Sequence, residues 1–127
     1  MPSVNERRFT ESHEWFAADG GVVTVGITPY ATNELTDITY VEMKPAGTQV
    51  VAGEALGEVE SVKTASDIFS AVSGEIVEVN DAVSADPALL NRDPLGAGWL
   101  VRIRVDDLSP LEGLLDQDTY DERHPVD

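Results

Sequence analysis

Residues 50–79 read VVAGEALGEVESVKTASDIFSAVSGEIVEV, and this stretch decides the fold. It holds two valine-rich runs, Val50 to Val62 and Ile68 to Val79, broken by Gly53, Gly57 and Gly74. Valine and isoleucine at this density favour extended chain, and isolated glycines within it mark bends, so the pattern predicts bent strands. The two halves echo each other: Val51-Ala52-Gly53-Glu54 resembles Val72-Ser73-Gly74-Glu75, and each copy leads into a Glu-Val pair, Glu58-Val59 and Glu78-Val79. Lys63 lies between them, ten residues after Gly53 and eleven before Gly74. Two similar β units on either side of residues 60–67 therefore present one lysine at a hairpin tip.

Upstream, Glu14 to Ala18 and Val22 to Ile27 flank Asp19-Gly20-Gly21 and read as another hairpin. Thr28-Pro29 is an N-cap followed by proline at the first helical position, predicting a short helix to about Leu35, after which Asp37 to Met43 resumes the strand pattern. Downstream, Asp86-Pro87 and Ser109-Pro110 repeat the cap-then-proline signal, and Glu112 would complete a capping box with Ser109. Between them Trp99, Val101, Ile103 and Val105 alternate with Leu100, Arg102 and Arg104, a two-sided strand whose arginines are expected to pair with local carboxylates. The tail after Asp116 allows a last helical turn or two. No proline-, glycine- or serine-rich linker divides the chain, so residues 1–127 are expected to form a single domain with 1–8 and 123–127 frayed.

Composition removes several function classes. Of 127 residues 24 are acidic and 8 basic, a formal net charge of −16, which repels phosphate backbones and favours partners with basic patches; no nucleic-acid role is expected. There is no cysteine, hence no thiolate metal site or cysteine nucleophile, and the two histidines, His13 and His124, leave little for imidazole ligation. No metal is expected. The N-terminus lacks the apolar run of a secretory signal and no stretch has the length of a membrane span, so the expected address is cytoplasmic.

Lys63 is the candidate for chemistry. Glu58, Glu60 and Asp67 nearby favour its charged form, which argues against a Schiff-base or general-base lysine and for a modification handle; a solvated turn residue that discourages edge pairing is the other reading. Ser12-His13-Glu14 contains the residue types of a hydrolase triad, but neighbours on a strand point to opposite faces and cannot converge. The acids at Asp116, Asp118 and Asp121 lack the glycine and glutamate of a calcium loop, and Trp15 and Trp99 are assigned to the core.

Ser12-His13-Glu14-Trp15, Val25-Gly26-Ile27-Thr28, the Glu60-Ser61-Val62-Lys63 motif with Ser66-Asp67, Ser73-Gly74-Glu75, Asn80, Asp93-Pro94 and Gly98-Trp99-Leu100, in that order, resemble the H protein of the glycine cleavage system over residues 9–122. Pro29, where that family usually has aspartate, and Ile38-Thr39-Tyr40 depart from it. The resemblance implies a mainly β fold, a lipoyl-domain-like barrel-sandwich hybrid of two antiparallel sheets with short peripheral helices and a lysine-bearing hairpin. It implies a lipoyl carrier that is not itself an enzyme. Lys63 would bear lipoate in amide linkage, with Glu60, Ser61, Val62 and Ser66 as the attachment motif and Ser12, Glu14 and Asp67 as the residues on which the loaded arm docks. The implied partners are a pyridoxal-phosphate glycine decarboxylase, a folate-dependent aminomethyltransferase, a dihydrolipoamide dehydrogenase and the lipoylating enzymes. Biotinyl carriers share the hairpin logic but place methionine on both sides of the lysine, where this chain has Val62 and Thr64. A relay of lipoyl or other acyl groups, or an unmodified acidic interaction module, remains as an alternative.

Overall fold

The structure, a computed structural model, describes residues 7–123. Alternating apolar residues make the strands, and β1 (Arg8–Phe9), β2 (Glu14–Asp19) and β3 (Val22–Ile27) open the chain. The hairpin between β2 and β3 is the one the sequence predicts, with Glu14 opposite Ile27 and Asp19 opposite Val22. Next comes α1 (Pro29–Leu35), where the Thr28 hydroxyl accepts the Ala31 amide at 3.2 Å, satisfying one of the orphan donors of the first turn. Then follow β4 (Ile38–Met43), β5 (Gln49–Val50), β6 (Ala55–Ser61), β7 (Ala65–Phe69) and β8 (Gly74–Val79). After them come α2 (Asp81–Ala85), α3 (Leu89–Arg92), β9 (Val101–Arg104), α4 (Ser109–Glu112) and α5 (Gln117–Arg123).

Every strand pair is antiparallel, in two sheets of order β1-β2-β3-β9-β8-β5 and β4-β6-β7, so the expected mainly β sandwich with short helices holds. The core lies between the sheets. Phe16, Val23, Val25, Ile76, Val101 and Ile103 from the larger sheet meet Val41, Leu56, Val59 and Ile68 from the smaller, all buried. Removing each such side chain from water is worth about 1.5–3 kcal/mol, enough to hold two sheets face to face without disulfide or metal. A second cluster on the outer side of the larger sheet joins Phe9, Trp15 and Tyr120, with Trp15 Nε1 donating to the Pro94 carbonyl at 3.0 Å.

The internal repeat has a structural meaning. Each of its copies marks a passage between sheets: the chain leaves the larger sheet after β5 to build β6, and leaves the smaller sheet after β7 to build β8. Val50 to Val62 is thus two strands in different sheets, turned at Gly53, whose φ of 96 would strain an L side chain, and Ile68 to Val79 is likewise two strands in different sheets. The two passages are tied together, the Gly53 amide donating to the Ser70 carbonyl at 2.7 Å and the Ser70 amide to the Glu54 carbonyl at 2.9 Å.

Three sequence expectations are corrected. The strand read over Trp99 to Val105 is Val101–Arg104, and Leu100, placed on its polar face, is fully buried. Asn80 causes this, since its Nδ2 donates to the carbonyls of Ala97 and Trp99 and draws that segment out of register; Trp99 is half-buried, with the Arg102 guanidinium 4.1 Å from its ring centre. Arg102 and Arg104 pair with Glu78 and Glu75, as expected. Asp86 does not start a helix: it closes α2, which Asn80 caps through its Oδ1 and the Ala82 amide. The Ser109 capping box does not form either, because the Asp107 carboxylate takes the Ser109 amide at 3.0 Å. At the ends, Arg7 donates to the Leu95 carbonyl, Arg8 pairs with Phe16, and Arg123 pairs with Glu11. Residues 1–6 and 124–127, the rest of those ends, lie outside the described residues.

Candidate functional site

The β6–β7 hairpin carries Glu60, Ser61, Val62, Lys63 and Ser66 together. Glu60 faces Ala65 and Val59 faces Ser66, leaving Val62 and Lys63 at the tip. The tip is closed by the Ser61 amide donating to the Thr64 carbonyl at 2.8 Å, while the Ser61 hydroxyl accepts the amides of Lys63 and Thr64, each at 3.1 Å. It leans on the segment between α1 and β4, where the Asp37 carbonyl accepts the Val62 amide at 3.1 Å. Lys63 is exposed, and its Nζ donates to the Glu34 carbonyl at 3.3 Å, at the C-terminal end of α1 where unsatisfied carbonyls favour a cation. Val62 beside it is 70% exposed.

Ser12 and Glu14 are brought together at the start of β2, but Glu14 is buried. One carboxylate oxygen accepts the hydroxyls of Thr10 and Ser12, each at 2.6 Å, and the other accepts the Phe69 amide on β7 at 3.2 Å. Glu14 therefore bridges the two sheets. Burial pushes its carboxyl above the ordinary range, and these hydrogen bonds offset part of that rise. Asp67 stands apart from this cluster, exposed on the outer face of the smaller sheet. There Glu42, Glu58 and Asp67 lie directly opposite one another across β4, β6 and β7. Glu58 is pushed up by partial desolvation and by the charges of Glu60, Asp67 and Glu42. A shallow groove of about 370 Å³ runs beside this row, lined in part by Met43, Lys44, Ala55 and Gly57.

Thr10, Tyr120 and Asn91, which support the site, were not singled out in the sequence. Thr10 precedes Glu14 by one tight turn, in which His13 takes φ 72. The His13 ring reaches Tyr120 Oη through Nδ1 at 2.7 Å, and that oxygen meets the Thr28 hydroxyl at 2.7 Å, which ties α5 to the cap of α1. Asn91 in α3 accepts the Ile38 amide and donates to the Thr36 carbonyl, bracketing the Asp37 carbonyl on which the hairpin tip rests. A threonine four residues before a glutamate is a weak local signal, and a contact spanning 53 residues, as between Asn91 and Ile38, leaves none in the chain.

Among the described residues no group of histidine and acidic side chains is arranged to hold a metal, and no helix is long and apolar enough to cross a membrane. A family model described as glycine cleavage H-protein matches residues 7–125. A glycine cleavage system H protein of Thermus thermophilus is 50% identical over 122 residues, covering 96% of this chain and 95% of the relative. One from Phenylobacterium zucineum is 48% identical over 114 residues, covering 90% and 94%. Among solved structures, a glycine cleavage system H protein from Mycobacterium marinum superposes with a TM-score of 0.86 at 41% identity, covering 96% of this chain and 98% of that one.

Proposed function

The chain belongs to the glycine cleavage H-protein family, the non-catalytic lipoyl carriers of the glycine cleavage system, and from that premise we propose that Lys63 is its lipoyl attachment site. The observation that carries this reading is the exposed amine at the tip of the β6–β7 hairpin, within reach of an attaching enzyme. Lys44, the other lysine, lies at the end of β4, where its amide is bonded to the Leu56 carbonyl and no hairpin presents it. The donor set fits lipoate, which needs one accessible primary amine and no metal. When attached, lipoate supplies the disulfide that takes up the aminomethyl group and is later reoxidised.

The chain's own contribution is position and shelter. Family membership implies work with the other components of the glycine cleavage system. The finer reading is that the carrier passes between the decarboxylase, the aminomethyltransferase and dihydrolipoamide dehydrogenase in the cytoplasm, after a lipoylating enzyme has acted on Lys63. The loaded arm ends in an ammonium group, and Ser12, Glu14 and Asp67 would receive it. The exposed Asp67 carboxylate, apart from the other two, can accept a charge-assisted hydrogen bond in one pose of the arm, and the exposed Ser12 hydroxyl can turn to add one in another, beside Glu14. Glu14 would then share a carboxylate oxygen that now serves Thr10 and Ser12.

Intact mass and peptide mapping of protein from a lipoate-competent host test the attachment: one lipoyl amide on Lys63 is expected, none on Lys44, and no glycine cleavage by Lys63→Arg. Lipoate on Lys44, or full activity in Lys63→Arg, overturns it. Docking is tested by ammonia release from the aminomethyl-loaded protein without transferase, which should be faster in Asp67→Asn than in the wild type; equal rates remove Asp67 from the site.

A further inference from the structure

We propose that Ser61 is a positioning residue for the acylation of Lys63: its hydroxyl, together with the Asp37 carbonyl, holds the lysine's backbone in the conformation the attaching enzyme takes up. The inference rests on Lys63 being the attachment site. Three successive amides at the tip all have acceptors: Val62 on the Asp37 carbonyl, and Lys63 and Thr64 on the Ser61 hydroxyl. The tip side chains are exposed, so little packing fixes the loop and its conformation rests on these bonds. The acceptor outside the hairpin is itself well held. Thr36, a β-branched residue at φ 62, keeps that costly conformation because Asn91 bonds its carbonyl at 2.7 Å and the Ile38 amide at 3.0 Å. Asn91 thus holds the residues on either side of Asp37, and the Asp37 carbonyl in turn holds the Val62 amide next to Lys63.

The chemistry gives that order a purpose. In transfer from an acyl adenylate, the Lys63 ammonium first gives one proton to a base on the enzyme or to water. The freed lone pair forms the bond from Nζ to the acyl carbon. The carbon–oxygen bond to the phosphate breaks, its electron pair leaving with the adenylate, and the second proton departs from nitrogen to leave a neutral amide. Attack needs the amine aligned with a carbon held by another protein. A lysine whose backbone is already set does not have to be ordered in the complex, and that saving appears in kcat/KM. With Ser61→Ala the Lys63 and Thr64 amides lose their acceptor to water and the tip populates other conformations.

The experiment uses the full-length unmodified protein with a lipoate-adenylating ligase, lipoic acid and ATP. Lipoylation is followed by intact mass, and backbone exchange at residues 62–64 is followed by deuterium uptake. Ser61→Ala is expected to lower kcat/KM for lipoylation about fivefold to tenfold, the order expected when hydrogen bonds of ordinary strength are lost. Exchange at Lys63 and Thr64 should quicken, with the melting temperature nearly unchanged. Ser61→Thr, which keeps the hydroxyl, should restore both. The proposal is overturned if Ser61→Ala is lipoylated at the wild-type rate, if it slows without faster exchange, or if Ser61→Thr regains protection but not rate. A Lys63→Arg protein that still gains the lipoyl mass overturns the attachment reading instead, and this inference with it.

Discussion

Replacing Glu14 separates its two tasks, bridging the sheets and carrying charge. Its side chain is 1% exposed, and its two oxygens serve Thr10, Ser12 and the Phe69 amide. In Glu14→Ala the Phe69 amide loses its acceptor, which costs about 1–3 kcal/mol when buried. The two hydroxyls lie 3.2 Å apart and can bond each other, so they add little. Relief of a buried carboxylate offsets part of the loss, leaving a net destabilisation of about 1–2 kcal/mol. At this chain length that is roughly 3–10 °C in melting temperature. Glu14→Gln keeps an amide oxygen for Phe69 and an NH2 group that the hydroxyl oxygens can accept, so it should cost less than about 1 kcal/mol. The two variants also differ in pH dependence. Glu14 is held above its ordinary value of 4.5, so below 4.5 both folded and unfolded forms are protonated and no penalty exists. As pH rises through 4.5 the unfolded carboxyl ionises first, and wild-type stability falls until the folded group has ionised too. Relative to wild type, Glu14→Gln should therefore gain stability across that window. Urea unfolding from pH 3.5 to 8 measures both effects. If Glu14→Gln is as damaging as Glu14→Ala, or if its difference from wild type is flat with pH, the account of Glu14 as a buried, charge-penalised bridge to Phe69 is wrong.

Gly57→Ala should destabilise by about 2–3 kcal/mol, because a Cβ there would strike the Glu42 carbonyl oxygen and stand 2.7 Å from Met43 Cα, forcing β4 from β6; a melting temperature within 2 °C of wild type would contradict this. Tyr120→Phe should cost about 1–3 kcal/mol at pH 8, since it leaves His13 Nδ1 and the Thr28 hydroxyl without their shared partner. Burial pushes the Tyr120 phenol up to about 12 from 10, so the unfolded phenol ionises first above pH 10 and the wild-type advantage should shrink there; a difference that grows from pH 8 to 11 in urea unfolding refutes that sign.

Local patterns were legible in the chain and distant partners were not. The β2–β3 hairpin, the α1 start at Thr28-Pro29 and the lysine tip each depend on neighbours within a few residues, where alternation, a capping hydroxyl and turn chemistry act. The Ser109 box failed even locally, because Asp107 offered its amide a competing carboxylate two residues away. Trp99 and Leu100 were misplaced because Asn80, nineteen residues before Trp99, decides where β9 begins. The sequence by itself determined that this is a β protein of the H-protein family with one lysine between two matching units, since periodicity and motif order are properties of the chain. The tertiary structure alone decided that those units cross between sheets, that Glu14 is buried against Phe69, and that Asn91 supports the hairpin tip. Each of these needs a hydrogen-bond or packing partner tens of residues away, and no local pattern records which distant amide a side chain will meet once the sheets close on their core.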